Sequence, residues 1–247
     1  MINYPDNHVD YEIINRLLDR LDYIRIRPET ILIVGWHVEY AVKKIQQRYP
    51  SAIIKTAQDT ASICPAENNA YDLIIAHFAL LREREPLYLL HEFHRVLRDE
   101  GLLLFTSLGP DTFFELRHSF SAIDNYPHAH TFLDMHHMGD WMRRLHFSDP
   151  VVDREEMTVA YDDLNLFFDD LKSMNATNVH EARCRGLMTK NKWQQMLSHY
   201  AQQKIDDYFP VTLEVIYGHG WKVKLPEHNE FQDEVAIPIN TIKRKND

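Results

Sequence analysis

Ile31-Leu-Ile-Val-Gly-Trp-His-Val-Glu-Tyr40 is the stretch on which the fold of this 247-residue chain turns. Ile31 to Val34 form a short, continuous apolar run, the mark of a strand buried on both faces. Gly35 follows, and residues 38–48 take up helical spacing until Pro50 stops them. A buried strand, a glycine and then a helix make up the first half of a βα unit.

Outward from this unit the alternation continues. Upstream, residues 9–24 place Ile13, Leu17, Leu21 and Ile24 on one helical stripe that ends before Pro28. Downstream, 52–57 and 71–76 read as two further strands. Pro86 opens a helix through Asp99 with Leu87, Leu90, Phe93, Val96 and Leu97 on its apolar face. Gly101 is expected to end that helix before a fourth strand at 102–106. Strands alternating with helices predict an α/β fold, a parallel sheet with helices on both faces. In the second half, 112–120 and 136–146 read as helices and 150–161 as a strand. Residues 163–203 carry a polar helical pattern, and 211–224 return to strand with a Gly-His-Gly kink at 218–220 suited to a bulge. The expectation is one domain over 1–247, with 163–210 a helical lid inserted before the last strand. Ligands of such sheets bind at the carboxyl ends of the strands, where that insertion would lie.

Composition narrows the function classes. Hydrophobic residues make up 45% and charged residues 26%, enough for a packed core. Lys plus Arg is 27 against 37 for Asp plus Glu, a net charge of −10. That balance argues against nucleic acid and against an anionic membrane surface as partners. No apolar stretch approaches the roughly 20 residues that span a bilayer, and residues 1–20 show no secretory signal. Cys64 and Cys184 read as buried thiols of a reducing compartment, so cytoplasm is the expected location. Only 7 glycines occur, few for a protein that brings its backbone close to a nucleotide.

The segments Tyr71-Asp-Leu-Ile-Ile75 and Arg95-Val-Leu-Arg-Asp-Glu-Gly-Leu-Leu-Leu-Phe-Thr-Ser-Leu-Gly-Pro110 resemble the fourth- to fifth-strand region of class I methyltransferases. Leu108-Gly-Pro-Asp-Thr-Phe-Phe-Glu-Leu-Arg117, Phe132-Leu-Asp-Met-His-His-Met-Gly-Asp140 and Phe147-Ser-Asp-Pro-Val-Val-Asp153 narrow the likeness. So do Asn178-Val-His-Glu-Ala-Arg-Cys-Arg-Gly-Leu187, Thr212-Leu-Glu-Val-Ile-Tyr-Gly-His-Gly-Trp221 and the tail Ile237-Pro-Ile239. Together they resemble the malonyl-acyl-carrier-protein O-methyltransferases of biotin synthesis, whose relatives include mitochondrial complex I assembly proteins. The resemblance implies a Rossmann-like fold, S-adenosylmethionine as cofactor and acyl carrier protein as partner. The implied reaction moves a methyl group to the free carboxylate of a malonyl thioester. A carboxylate is already a nucleophile at pH 7, so the protein has to neutralise it, aim it and hold the donor in line.

Three departures from the family bear on the cofactor. Where the family has Asp-x-Gly-x-Gly-x-Gly, this chain keeps only Gly35 and brings in Trp36, His37 and Val38. Only 37 positions separate Gly35 from Asp72, so the fold is expected to be shorter by about one βα unit; residues 57–65 resemble the family's third-strand end, which leaves its second strand missing or merged. The family's extra N-terminal covering helix is also expected to be lacking, the likeness beginning near Leu17. A degenerate cofactor motif beside a retained substrate side predicts an impaired enzyme or a pseudoenzyme that binds acyl carrier protein or another protein. A bare sheet edge predicts a tendency to homodimerise, which light scattering reads.

Candidate residues follow. On the cofactor side are Gly35, Asp59, Ala76 and His77. For aiming and orienting the carboxylate there are Arg183, Arg117, Tyr161 and Tyr217. For substrate or partner contact there are Arg185, Lys190, Lys192 and Trp221. Each has a blander reading as a paired helix residue, a solvated face or an aromatic in the core. His128, His130, His136 and His137 read as a wet surface cluster and not a metal site, with His136 paired to Asp140 along a helix.

Overall fold

The computed structural model describes residues 9–173 and 177–223; Ile237–Ile239 and the first eight residues lie outside them. Helix α1 spans Val9–Asp19 and leads through a 3₁₀ turn at Arg20–Asp22 to strand β1, Thr30–Gly35. Then follow α2 (Val38–Arg48), β2 (Ile53–Ala57), α3 (Thr60–Ile63), β3 (Tyr71–His77), α4 (Pro86–Val96) and β4 (Leu97–Leu108). The second half comprises α5 (Phe114–Ser121), α6 (Met135–Arg144), β5 (Phe147–Tyr161), α7 (Leu164–Ser173), α8 (Lys190–Ala201) and β6 (Phe209–Lys222).

Six strands form one sheet in the order β2-β1-β3-β4-β6-β5. The first four run parallel, and β6 is antiparallel to both neighbours. Between β1 and β3 lies a single strand, β2, so one βα unit is indeed absent. β2 is therefore the sheet's edge, mostly exposed along its length, with Ile53 in contact with solvent. Among the described residues no helix is long and apolar enough to cross a membrane.

Strand alternation sorts the core into two layers. Ile31, Ile33, Leu73, Ile75, Leu102 and Leu104 face α1, α2, α5, α7 and α8 through Ile13, Leu17, Ile45, Leu116, Phe167 and Met196. Their neighbours Leu32, Val34, Ile74, Ala76, Leu103 and Phe105 face α4 and α6 through Leu90, Phe93, Met138 and Met142. Both faces are dry, which is why these strands read as continuous apolar runs. At the amino ends of the strands, Asp72 accepts from the Glu29 and Thr30 N–H groups and pairs with Arg98 at 2.7 Å. Burial opposes its charge, yet the bonds from Thr30 and Arg98 hold its carboxyl below the usual range.

Several local expectations are corrected. α4 ends at Val96, not Asp99, because Leu97 already pairs with Tyr71; the extra residues before Leu102 loop out, with Glu100 at φ 61°. Residues 163–203 are two helices, and 177–189 between them are not helical. The Gly218-His-Gly220 segment makes no bulge, since β4 and β6 pair without interruption from Leu102↔Trp221 to Leu108↔Val215. The irregularity falls in β5 instead, between Ser148 and Val151. The glycines make room: a Cβ on Gly218 would lie 2.1 Å from the Phe105 ring, and one on Gly220 2.7 Å from Met142 Cε. Both cysteines are exposed and not buried, because Cys64 follows the one-turn α3 on its outer side and Cys184 lies in the 177–189 loop. Asp140 pairs with Arg143 one turn on, not with His136, whose N–H instead caps on Asp134.

Gly218→Ala should destabilise the fold by about 1–3 kcal/mol through overpacking against Phe105. Gly186→Ala should be neutral, its Cβ meeting only Cys184 Sγ at 3.7 Å. Thermal unfolding followed by circular dichroism separates the two; equal melting would refute this account of the glycine.

Candidate functional site at the carboxyl ends of the strands

The strand order reverses between β1 and β3, and in sheets of this class the ligand crevice opens there. In this chain the two strand ends meet directly. Gly35, at φ +110°, lies so close to β3 that a Cβ would sit 1.9 Å from the His77 carbonyl oxygen. The Trp36 N–H then donates to that same oxygen at 3.0 Å. His37 takes the left-handed conformation, φ 47°, that the family pattern gives to a glycine two places after Gly35. A non-glycine residue there costs roughly 1–2 kcal/mol. The turn thus keeps a glycine-type backbone and hangs two large side chains on it.

Those side chains are held in place. The Trp36 ring packs edge-on against Phe78 at 5.7 Å, and His37 Nε2 lies 3.0 Å from the Asp10 carboxylate. Tyr11 meets His37 edge-on and stacks on Tyr40 at 4.2 Å, and the Tyr40 hydroxyl donates to Asn15. The first two turns of α1 are therefore clamped onto the turn after β1. Asp10 is buried; it sits on the same helical stripe as Ile13, Ile14 and Leu17, an acid where the pattern calls for an apolar residue.

Beneath α1 a row of residues crosses the sheet at one level: Gly35↔His77, His77↔Thr106, Thr106↔Tyr217 and Tyr217↔Asp153. His77 is fully buried, with Nδ1 2.9 Å from the Thr106 hydroxyl, and its Nε2 has no hydrogen-bond partner. Burial brings its pKa down to about 4, against the pull of Asp10. Tyr217 is buried too, its hydroxyl unpartnered, and the Arg20 guanidinium lies 3.9 Å over its ring. Arg20 also forks onto Asp153 at 2.7 and 2.9 Å, and Arg16 pairs with Glu155.

The other candidates scatter. The Tyr161 hydroxyl bonds Asp170 on α7 at 3.0 Å, and burial raises its pKa. Asp59 caps α3 by accepting from the Ser62 N–H at 2.9 Å, beside a groove of about 780 Å³ lined by Val38, Glu39, Val42, Ala57, Gln58 and Ser62. Ala76 faces the opposite layer from His77 and packs in the α4–α6 core. Arg117 donates to the carbonyls of Pro110 and Thr112, tying the turn before α5. Arg183 bonds the carbonyls of its own loop, while Arg185 and Lys190 are exposed. Lys192 pairs with Asp124 at 2.8 Å and holds that carboxyl down at about 2; both line a small pocket of about 280 Å³ with Arg183, His128 and Asn178. Trp221 lies opposite Leu102, beyond Tyr217 toward the end of β6, and does not join the row. Among the described residues no group of three or more His, Cys, Asp and Glu could hold a metal. Sequence reading singled out neither Asp10 nor Thr106. The first carried a signal, an acid on an apolar stripe, and the second becomes visible only through strand register.

The Asp10 bond raises the His37 pKa above its ordinary 6.5, with burial working against it. A raised folded value means the pair stabilises α1 fully below about pH 6.5 and ceases to do so as pH rises through the folded pKa. Protection factors of the α1 amides, corrected for intrinsic base-catalysed exchange, should fall across that window. His37→Gln should make them independent of pH there; an unchanged profile would show that the pair does not clamp α1.

A methyltransferase domain model matches residues 33–105, from β1 into β4. The chain is 37% identical to malonyl-[acyl-carrier protein] O-methyltransferase 1 of Coxiella burnetii, over 95% of this chain and 88% of that one. It is 35% identical to the malonyl-[acyl-carrier protein] O-methyltransferase of Laribacter hongkongensis, over 85% and 82%. Among solved structures, a putative methyltransferase from Bacillus halodurans superposes with a TM-score of 0.54 at 15% identity, over 86% of this chain and all of that one. The YcgJ protein of Bacillus subtilis gives 0.52 at 12%, over 89% and 100%. Strand order, sequence likeness along nearly the whole chain and these superpositions agree: the chain belongs to the malonyl-[acyl-carrier protein] O-methyltransferase family, on a class I methyltransferase fold.

Proposed function

We propose that this protein takes the malonyl thioester of acyl carrier protein as its substrate, with S-adenosylmethionine as methyl donor, and that its donor site is impaired. Family membership supports the substrate. The observation that carries the impairment is the turn after β1, where Trp36 and the His37–Asp10 pair stand in place of small residues.

The donor fits this chain at one end. The groove beside α2 offers Glu39 to ribose hydroxyls and Gln58 near the base, next to the uncapped start of a helix. The methionine end does not fit the present arrangement, because the Trp36 and His37 side chains and the first turns of α1 fill the strand ends. On the other side, Arg183, Arg185 and Lys190 are exposed cations on and beside the 177–189 loop. They form a local basic face for an acidic carrier on a chain of net charge −10. We infer that α7, α8 and this loop act as the lid over the acyl arm. A second reading, a non-catalytic protein that binds acyl carrier protein, is favoured by the same turn, and such a protein would share the cytoplasm with its carrier.

Titration calorimetry with S-adenosylhomocysteine tests the impairment. The native protein should bind more weakly than about 100 µM. The double variant Trp36→Gly, His37→Gly should bind at least about tenfold more tightly, since glycine suits φ 47° and clears the crevice. Tight binding by the native chain, or no gain in the variant, would overturn the proposal.

A further inference from the structure

The His77 and Tyr217 side chains stand on either side of Thr106, on one face of the sheet, and both carry a buried polar atom with no partner. Their Cα atoms are two strand spacings apart, about 10 Å, a span that two side chains of this length can bridge toward one atom. Such orphans are rare in a native interior, since a buried polar atom without a partner is costly unless something fills it.

The proton positions follow from the bonds around Thr106. Its hydroxyl oxygen accepts from the Phe78 N–H at 3.1 Å. The hydroxyl proton is left to donate, and the acceptor within reach is His77 Nδ1 at 2.9 Å. With that proton pointed at Nδ1, Nε2 carries the hydrogen and is a donor, and this is the tautomer the receptor requires. The low pKa of His77 keeps the ring neutral at pH 7, and burial likewise keeps the Tyr217 hydroxyl protonated. The row therefore presents two neutral donors, His77 Nε2–H and the Tyr217 hydroxyl.

Two neutral donors match an uncharged oxygen better than a carboxylate. The basic groups around the row are already paired, Arg20 with Asp153, Arg16 with Glu155 and His37 with Asp10, and the charge of Asp10 reaches His77, so an anion here would be poorly compensated. A carbonyl oxygen has two lone pairs for two donors and brings no charge to bury.

We propose that His77 Nε2–H and Tyr217 Oη–H form a receptor for the carbonyl oxygen of an acyl thioester, with Thr106 setting the histidine tautomer. This rests on the acyl-carrier reading for the choice of thioester. It moves His77 from the cofactor side to the substrate side and leaves the free carboxylate to other groups. The receptor lies under α1, which is tied down by Asp10–His37 at one end and by Arg16–Glu155 and Arg20–Asp153 at the other, so the acyl group enters as that helix lifts.

The test uses the full chain labelled with ¹⁵N-histidine, titrated with acetyl-pantetheine and, as control, S-ethyl-pantetheine, which lacks the carbonyl. The acetyl probe should move the His77 Nε2 resonance and the ethyl probe should not. Tyr217→Phe should weaken acetyl-pantetheine at least tenfold while melting no lower than the native chain, because it deletes an unpartnered hydroxyl. Equal response to both probes, no response, or unchanged affinity in Tyr217→Phe would overturn the receptor and leave a buried water as the occupant. Should the variant fail to fold, the native chain's response to the two probes still decides. Neither probe has a free carboxylate or involves the methyl donor, so failure here leaves the methyl-transfer reading standing, and failure of that reading leaves this one.

Discussion

Gly35 resting against the carbonyl of His77 is the contact on which the rest of this end of the molecule depends. It brings the ends of β1 and β3 together where the sheet changes direction, and it forces the next three residues over the strand ends. Because Trp36 donates to that same carbonyl, its ring turns onto Phe78, and His37 lands where Asp10 can meet it. α1 then has a fixed place, and by covering Thr106 and Tyr217 it decides what is buried. A tight backbone approach, possible only at a glycine, thus propagates into a closed helix and a dry polar row.

How much of this could be read from the sequence depended on distance along the chain. The strands are buried on both faces, so their residues announced themselves as unbroken apolar runs, and Pro50 and Pro86 marked helix ends by local sterics. The missing βα unit was legible as a count of positions between Gly35 and Asp72. Gly218 and Gly220 were noticed for the wrong reason. Their need is imposed by Phe105 and Met142, more than seventy residues away, and a Gly-His-Gly string looks the same whether it makes a bulge or makes room. Asp10 could have been found, since it falls on the buried stripe of α1. Thr106 could not, because its role requires the register that sets it between His77 and Tyr217.

The site residues divide along the same line. Gly35, His77, Tyr217 and Tyr161 belong to strand ends, and the sheet brings three of them into or beside one row. Arg117, Lys192 and Asp59 are occupied with capping, ion pairing and tying turns, roles that a motif cannot distinguish from ligand binding. The basic residues of the 177–189 loop are exposed, and Arg183 spends its bonds only on carbonyls of that loop, which suits them to an acidic partner. On the proposed reading the chain combines a closed donor side with a charged substrate side, and the two meet at the row under α1.

Mass spectrometry of malonyl-acyl carrier protein incubated with the protein and S-adenosylmethionine addresses this division most directly. With carrier in large excess over protein, the account predicts that methyl ester accumulates only when S-adenosylmethionine is raised well above about 100 µM, although the carrier forms a complex with the protein. Methyl ester accumulating over many turnovers with the donor held at about 1 µM, at a rate that more donor does not raise, would contradict the account, because it would mean that the turn carrying Trp36 and His37 admits the donor after all.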